Sequence, residues 1–326
     1  MNVDSIINWV LVPLLRFPLV FFAFISHLYS LNYPKVYVAL LIYTVIVNSV
    51  IKINEISKLR GPWMPLEDFP DAKCVLTGGA QGLGYDIVQT LLERFPKMEV
   101  IVIDIVDPKI NNERVHYHYA DLSQAKDVDI AVDTISDKYG DVDLLINCAG
   151  MRSKYEGFLS TNIHDITKVF QVNVFAPVRF IQRLAPKESK RQFYAVTIGS
   201  ALGIVAPARI STYASTKSAL IAFHDSWSYE LTNKGINNIR TLLVLPGQMN
   251  TKMFNGFQPP KQFFAPVVES ERLAKDIAAY CNIGMRGQLC TPLYVNFMHI
   301  LAGMPQIIME LVRSFSEMDA CLPDER

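Results

Sequence analysis

Surplus charge is absent from this chain: across 326 residues, 31 Lys and Arg balance 31 Asp and Glu. Without a basic excess there is no electrostatic surface for nucleic acid, and no nucleic-acid partner is expected. Cysteine is scarce, with Cys74, Cys148, Cys281, Cys290 and Cys321 scattered without disulfide or metal-ligand spacing. An odd, dispersed set excludes a disulfide framework and fits reduced thiols in the cytosol. His116, His118, His164, His224 and His299 also lack a zinc-type pattern, so no metal is expected. No internal repeat or low-complexity tract appears, which excludes a repeat array. The amino terminus lacks the basic start and small-residue cleavage site of a secretory signal. Asp4 precedes the first apolar run instead.

Apolar residues, by contrast, are plentiful, at 50% of the chain with a mean hydropathy of +0.20. The excess lies before Ile53, in two blocks. The first, WVLVPLLRFPLVFFAFISHLYSL, is interrupted by Pro13, Arg16 and Pro18. The second, VYVALLIYTVIVNSVIKI, makes about 18 residues of helix, roughly 27 Å, enough to cross a bilayer core. Lys52, Lys58 and Arg60 come directly after it, and the positive-inside rule places them on the cytosolic side. The expected organisation is a hydrophobic membrane anchor at 1–53, as one span or as a hairpin turning between Asn32 and Lys35. A Pro- and Gly-broken linker comes next at 54–71, then one α/β domain at 72–292. An amphipathic extension at 293–326 has apolar residues at helical spacing around Pro305, suited to a bilayer interface or to a subunit contact.

The chemistry concentrates in IGSALGIVAPARISTYASTKSAL, which holds Ser200, Tyr213 and Lys217. Four residues apart on a helix, Tyr213 and Lys217 share a face. A phenol with a pKa of about 10 is a poor acid or base near neutrality. A neighbouring ammonium favours the phenolate, as proton transfer requires. A hydroxyl arriving from the preceding strand, Ser200, reaches the same substrate oxygen. Upstream, KCVLTGGAQGLGYDIVQTLLERF reads as a strand, a glycine-rich turn and an amphipathic helix. Glycines let the backbone approach a pyrophosphate, and the helix N-terminus favours its charge. The next strand, VIVIDI, carries Asp104 about 20 residues beyond the loop, where an acid binds the ribose hydroxyls of NAD. Further strands are expected near 115–120, 142–147, 193–198, 239–245 and 289–291. The alternation predicts a doubly wound parallel sheet with Asp104, Asp121, Asn147, Ser200 and Pro246 at strand ends, where ligands bind.

In these motifs the chain resembles the short-chain dehydrogenase/reductase family over roughly residues 70 to 292. The glycine loop of that family appears as Thr77, Gly78, Gly82, Leu83 and Gly84, and its Ser–Tyr–Lys set as Ser200, Tyr213 and Lys217. The helix asparagine matches Asn173, and the acid after the third strand matches Asp121. The segment after the fourth strand reads Asn147, Cys148, Ala149 and Gly150, with Cys148 in place of a second asparagine. The element after the sixth strand reads Pro246, Gly247 and Thr251. The resemblance implies a Rossmann-like fold in which Tyr213 exchanges the proton, Lys217 binds the nicotinamide ribose, Ser200 polarises the oxygen and Asn173 holds a water. It also implies a mobile lid at 252–268, a cofactor set including Thr77, Asp121, Asn147, Pro246 and Thr251, and a homodimer.

Asp104 repels a 2′-phosphate and Gln81 offers no cation to hold one, so NAD is expected over NADP. Aromatics on the lid, Phe254, Phe257, Phe263 and Phe264, favour a lipophilic small-molecule substrate. With the anchor and tail, the chain is similar to the retinol and 17β-hydroxysteroid dehydrogenase branch. That branch implies an endoplasmic reticulum or lipid-droplet membrane with the catalytic domain facing the cytosol. The alternative from another class is a non-catalytic, NAD-binding membrane scaffold.

Overall fold

Long apolar runs with no polar alternation are the signature of strands covered on both faces. Here they build one sheet. The computed structural model describes residues 2–30, 33–187, 191–254, 260–320 and 322. Asn32, Phe257 and Cys321 lie outside the described residues. The strands are β1 (Lys73–Thr77), β2 (Glu99–Asp104), β3 (Val115–Tyr119), β4 (Leu144–Asn147), β5 (Phe193–Ile198), β6 (Ile239–Pro246) and β7 (Gly287–Thr291). All pair in parallel, in the order β3-β2-β1-β4-β5-β6-β7. This is the doubly wound, Rossmann-like sheet that the alternation predicts. Its order reverses between β1 and β4, the switch point where such sheets hold ligands.

The amino-terminal helices are α1 (Val3–Ile6), α2 (Val12–Arg16), α3 (Pro18–Leu28) and α4 (Pro34–Leu59). Those around the sheet are α5 (Gly82–Arg94), α6 (Ala125–Tyr139), α7 (Ile163–Phe170), α8 (Ala176–Leu184), α9 (Ser211–Asn233) and α10 (Ser270–Ile283). The chain then forms α11 (Val295–Ala302) and α12 (Gln306–Ser316). Strand residues alternate between two cores, as the pleat dictates. Cys74, Leu76, Val100 and Val102 meet Ile87 and Leu91 of α5 and Ile277 of α10. Val75, Ile101 and Leu145 meet Val132 of α6 and Phe180 of α8 on the opposite face. Helix α10 stops at Gly284, whose φ of +58° is left-handed. A Cβ there would fall 2.3 Å from the Trp63 ring, so only glycine fits.

The amino-terminal helices stand apart from these cores. The stretch Val3–Arg16 bends by 81° into α3. The cause is local: Pro18 has no N–H and Phe17 leaves the helical region at φ −131°, ψ 51°. Helix α4 is 26 residues long, and its most apolar window has a mean hydropathy of 2.0 with none of it buried. It pairs with the preceding segment through Arg16 Nε to Asn48 Oδ1 at 2.7 Å, Asn48 Nδ2 to the Arg16 carbonyl at 3.1 Å, and an edge-on Phe22–Tyr37 contact. Helix α4 continues past Ile53 to Leu59, so the expected linker begins as helix.

The segment after α4 is docked on the domain rather than loose. The Arg240 guanidinium, from β6, donates to the carbonyls of Arg60 at 3.1 Å, Gly61 at 2.9 Å and Gly284 at 2.9 Å. It also lies 4.5 Å from the Trp63 ring centre. The end of α4 is therefore bolted to the amino-terminal edge of the sheet, opposite the edge that carries the chemistry.

Candidate active site

The turn after β1 is built on backbone proximity. Gly78 has φ +76°, and a Cβ on it would lie 2.6 Å from the Ala149 Cα. A Cβ on Gly84 would lie 2.0 Å from the Gly78 carbonyl oxygen. Side chains at these positions would push the loop off the first turn of α5. Gly82, Leu83 and Gly84 open that helix and face the cleft, where its dipole favours an anion. Asp104 ends β2. Its carboxylate accepts the Ala80 N–H at 2.9 Å and the Val106 N–H at 3.2 Å, bracing the glycine loop. Asp121 comes after β3 and accepts the Ser123 N–H at 2.9 Å. Pro246 ends β6, and the Thr251 side chain sits over Gly82.

These residues line one cleft of about 960 Å³ above the carboxyl ends of the strands. The volume is at the upper end of ligand pockets, which run from roughly 300 to 1,000 Å³. A groove of this length, floored by close-packed glycines, ended by a helix N-terminus and flanked by Asp104, fits a dinucleotide.

Ser200, Tyr213 and Lys217 line the same cleft. Ser200 caps a short turn after β5, its Oγ accepting the Leu202 N–H at 3.1 Å. Helix α9 presents Tyr213 and Lys217 one turn apart, both buried. The Lys217 ammonium donates to the Ile198 carbonyl at 2.8 Å and stands 5.6 Å from the Tyr213 ring centre. Burial pushes the Tyr213 phenol up to about 12, against a lowering hydrogen bond with Ser200 and with a further rise from Tyr155. Burial also brings Lys217 down to about 8, with Cys148 opposing. Any lowering of Tyr213 by Lys217, expected from their spacing, is outweighed by burial in this arrangement. Desolvation dominates the phenol, and the ammonium is turned to Ile198. Cys148 also lines the cleft, its thiol raised to about 12 by burial against the Lys217 charge.

Three expected site residues stand behind the cleft wall. Thr77 Oγ1 accepts the Ala149 N–H at 3.2 Å, tying β1 to the loop after β4. Asn147 is buried, its Nδ2 3.5 Å from the Pro177 carbonyl. Asn173 sits in a π turn, Gln171–Phe175, between α7 and α8. Its Nδ2 donates to the Met151 carbonyl and to Thr216 Oγ1, both at 2.9 Å, while its Oδ1 accepts the Met151 N–H at 2.9 Å. Both amide hydrogens are committed, so this side chain braces the β4 loop against α9.

Other residues here carry no motif. Thr216, next to Lys217, completes the Asn173 brace by donating to the Tyr213 carbonyl at 2.7 Å. Arg152 donates to the Met253 carbonyl at 2.8 Å, with its guanidinium 4.1 Å from the Tyr155 ring centre. Phe254, flagged by the aromatic richness of the expected lid, meets Tyr213 edge-on at 5.6 Å. No group of three or more His, Cys, Asp or Glu suited to a metal occurs among the described residues.

Comparison with known proteins agrees with this geometry. The family model for short chain dehydrogenase matches residues 72–262. An uncharacterized oxidoreductase of Saccharomyces cerevisiae, TDA5, is 43% identical over 329 residues, covering 100% of both chains. Retinol dehydrogenase 10-B of Danio rerio is 26% identical over 249 residues, 67% of this chain and 74% of its own. Among solved structures, a short chain dehydrogenase from Burkholderia cenocepacia in complex with NADP superposes with a TM-score of 0.62 at 19% identity. It covers 77% of this chain and 98% of its own.

Proposed function

We propose, from the premise that this chain belongs to the short chain dehydrogenase family and is an oxidoreductase of that type, that it interconverts an alcohol and a carbonyl on a lipophilic molecule at a membrane. The observation that carries this reading is the convergence of Ser200, Tyr213 and Lys217 on the cleft that the glycine loop floors. Gly78, Gly82, Leu83, Gly84, Asp104, Asp121, Pro246 and Thr251 would hold the dinucleotide along that cleft. A bound nicotinamide supplies or accepts the hydride. Everything else falls to the protein. The buried Tyr213 keeps its phenolic proton at neutral pH, ready to give it to a carbonyl oxygen. In the reverse direction its phenolate takes the proton of the alcohol, and the Lys217 ammonium on the same helix face favours that anion. The Ser200 hydroxyl orients the same oxygen. Thr77, Asn147 and Asn173 position the backbone around these groups from behind.

The Asp104 carboxylate supports NAD over NADP, because it would face a 2′-phosphate with like charge. The preference rests on Asp104, since solved neighbours of this fold hold either NADH or NADP. Exposed apolar surface supports the membrane site: Trp9 is 82% exposed and no residue in the apolar window of α4 is buried. The domain division at 1–53, 54–71, 72–292 and 293–326 serves this reading as anchor, docked linker, catalytic domain and extension, with the catalytic domain on the cytosolic side. The similarity to retinol dehydrogenase 10-B is compatible with a greasy substrate.

Binding of NADH and NADPH to the full chain, followed by nicotinamide fluorescence, tests the reading. Tighter NADH binding, relaxed in Asp104→Ala, supports it. Turnover of a retinoid, steroid or long-chain alcohol panel that vanishes in Tyr213→Phe at unchanged NADH affinity establishes the chemistry. Tighter NADPH binding overturns the cofactor choice. Binding without any turnover favours the scaffold alternative.

A further inference from the structure

The cleft is open toward the glycine loop, but beyond Tyr213 the space is filled by the chain itself. Tyr213, Tyr155 and Ile210 form one buried apolar cluster, and its fourth member is Leu322, only 5% exposed. The segment that delivers this leucine is fastened across the loop between Ser200 and Tyr213. The Ala208 N–H donates to Asp319 at 2.7 Å, and Arg209 Nη1 donates to the Leu322 carbonyl at 3.0 Å. Arg313 donates to the Ala206 carbonyl and pairs with Asp319, each at 2.9 Å. Lys261, in the expected lid, pairs with Glu317 at 2.9 Å.

These fastenings share a character. The ion pairs are between partly exposed side chains, the kind that hold weakly. Arg209, which holds the Leu322 carbonyl, has φ +67°, a left-handed conformation that disfavours a side chain. Leu322 is thus the buried apolar anchor of a strap otherwise held by partly exposed contacts, including Phe315 edge-on to Phe264 at 5.7 Å, and Arg209, which grips it, is strained. A ligand that buries more apolar area against Tyr155 and Ile210 than one leucine displaces it.

We propose that residues 313–320 together with Leu322 are a displaceable plug, and that Leu322 occupies the apolar subsite which the hydrocarbon of the substrate takes beside Tyr213. The assignment rests on the alcohol–carbonyl reading of that site. Substrate selection then depends on competition with Leu322. Small polar alcohols fail to evict it, and bulky apolar ones gain the seat.

The test uses the full chain in nanodiscs with NADH bound and cyclohexanol, a water-soluble apolar alcohol, as the probe. Amide hydrogen exchange at Ala208, whose N–H is tied to Asp319, reports release of the plug. Saturating cyclohexanol is expected to speed Ala208 exchange at least ten-fold. Leu322→Ala and Asp319→Ala are each expected to tighten cyclohexanol binding at least three-fold at unchanged NADH affinity. Unchanged Ala208 exchange with the probe bound overturns the plug, making Leu322 a fixed wall. So does weaker probe binding in Leu322→Ala, or no probe binding in any of the three proteins. Loss of NADH binding in the wild type overturns the underlying reading. Retained NADH binding with an unresponsive segment overturns only the plug.

Discussion

Two buried cations sit at opposite edges of this sheet, and their surroundings differ in one respect. Arg240, 1% exposed at the amino-terminal edge, is ringed by main-chain carbonyls of the consecutive residues Leu59, Arg60, Gly61 and Pro62, where α4 ends, and of Ile283 and Gly284 at the end of α10. Lys217, 4% exposed at the carboxyl edge, has one acceptor among the described residues, the Ile198 carbonyl. Burial lowers both, Arg240 to about 10 and Lys217 to about 8. A guanidinium at about 10 stays charged at any physiological pH, with its charge spread over acceptors. An ammonium at about 8 with donors to spare is held close to its own titration point. One charge is spent on architecture, while the other is kept available for chemistry.

The largest expected effect comes from removing the available charge. Lys217→Met should lower turnover of any alcohol substrate by about three orders of magnitude, within the 10²–10⁴ range for a positioned proton-transfer group. Steady-state kinetics with NAD, together with NADH titration, measure it. A loss confined to KM would show that Lys217 binds without assisting the proton.

Removing the architectural charge should do the opposite. Arg240→Ala takes the guanidinium donor from the Arg60, Gly61 and Gly284 carbonyls and releases the Trp63 contact, and about 3 kcal/mol of stability is expected to go with it. Specific activity per folded molecule should stay near that of the wild type, because the carboxyl edge is untouched. Chemical denaturation paired with active-site titration checks both halves. If activity per folded molecule fell with Arg240→Ala, the two edges would be coupled and the contrast between them would collapse.

This asymmetry also explains what the sequence made legible. The carboxyl edge is written in short motifs. Gly78 and Gly84 must be glycine because a Cβ would strike backbone, and Tyr213 and Lys217 must be four apart to share a helix face. The centre of the parallel sheet was legible for a similar reason, since strands buried on both faces, such as β1, β4 and β6, read as largely apolar runs. Bracing contacts were not. Thr77, Asn147 and Asn173 carried motif matches, but only the folded chain shows them turned behind the cleft toward Ala149, Pro177 and Met151. Arg240 and Leu322 were invisible because their contacts join segments far apart in the chain, as in Arg240 to Gly61 and Arg209 to Leu322. The pKa of Tyr213 went astray for a related cause. Spacing reveals a neighbouring charge, whereas desolvation depends on everything packed around the phenol.

A smaller effect sharpens the contrast through pH. Lys217 titrates at 10.5 when unfolded and at about 8 in the folded protein. Below pH 8 both states are protonated and the folded state carries the full desolvation cost, about 3 kcal/mol at 1.36 kcal/mol per pKa unit. Between about 8 and 10.5 the folded state releases the proton first, so this contribution to stability rises with pH. Lys217→Met should therefore be more stable than the wild type at pH 7, by at most that amount, with the gap closing as pH climbs through the same window. Tyr213 and the buried thiols act in the opposite sense at alkaline pH, so the difference between the two proteins, not either curve alone, isolates the lysine. Equal stabilities at pH 7 and pH 10 would mean the ammonium is solvated in solution.

The smallest effect concerns what keeps the available charge in place. Thr216 Oγ1 accepts from Asn173 Nδ2 and donates to the Tyr213 carbonyl, so one buried hydroxyl links the π turn to the helix that carries Tyr213 and Lys217. Thr216→Val keeps the shape but removes both bonds, leaving Asn173 one amide hydrogen to satisfy elsewhere. A loss of about 1–2 kcal/mol is expected, the usual cost of a buried donor left without its partner. The link predicts more than a stability change. In a double-mutant cycle with Asn173→Ala, the coupling energy should be about 1 kcal/mol, and turnover should fall less than ten-fold in Thr216→Val alone. Zero coupling would mean that α9 is positioned by its packing on the sheet, and that the Asn173 brace serves only the β4 loop. A coupling of the expected size would mean that the poorly satisfied lysine at the carboxyl edge depends on a polar scaffold one layer behind it, much as Arg240 serves as scaffold for the end of α4.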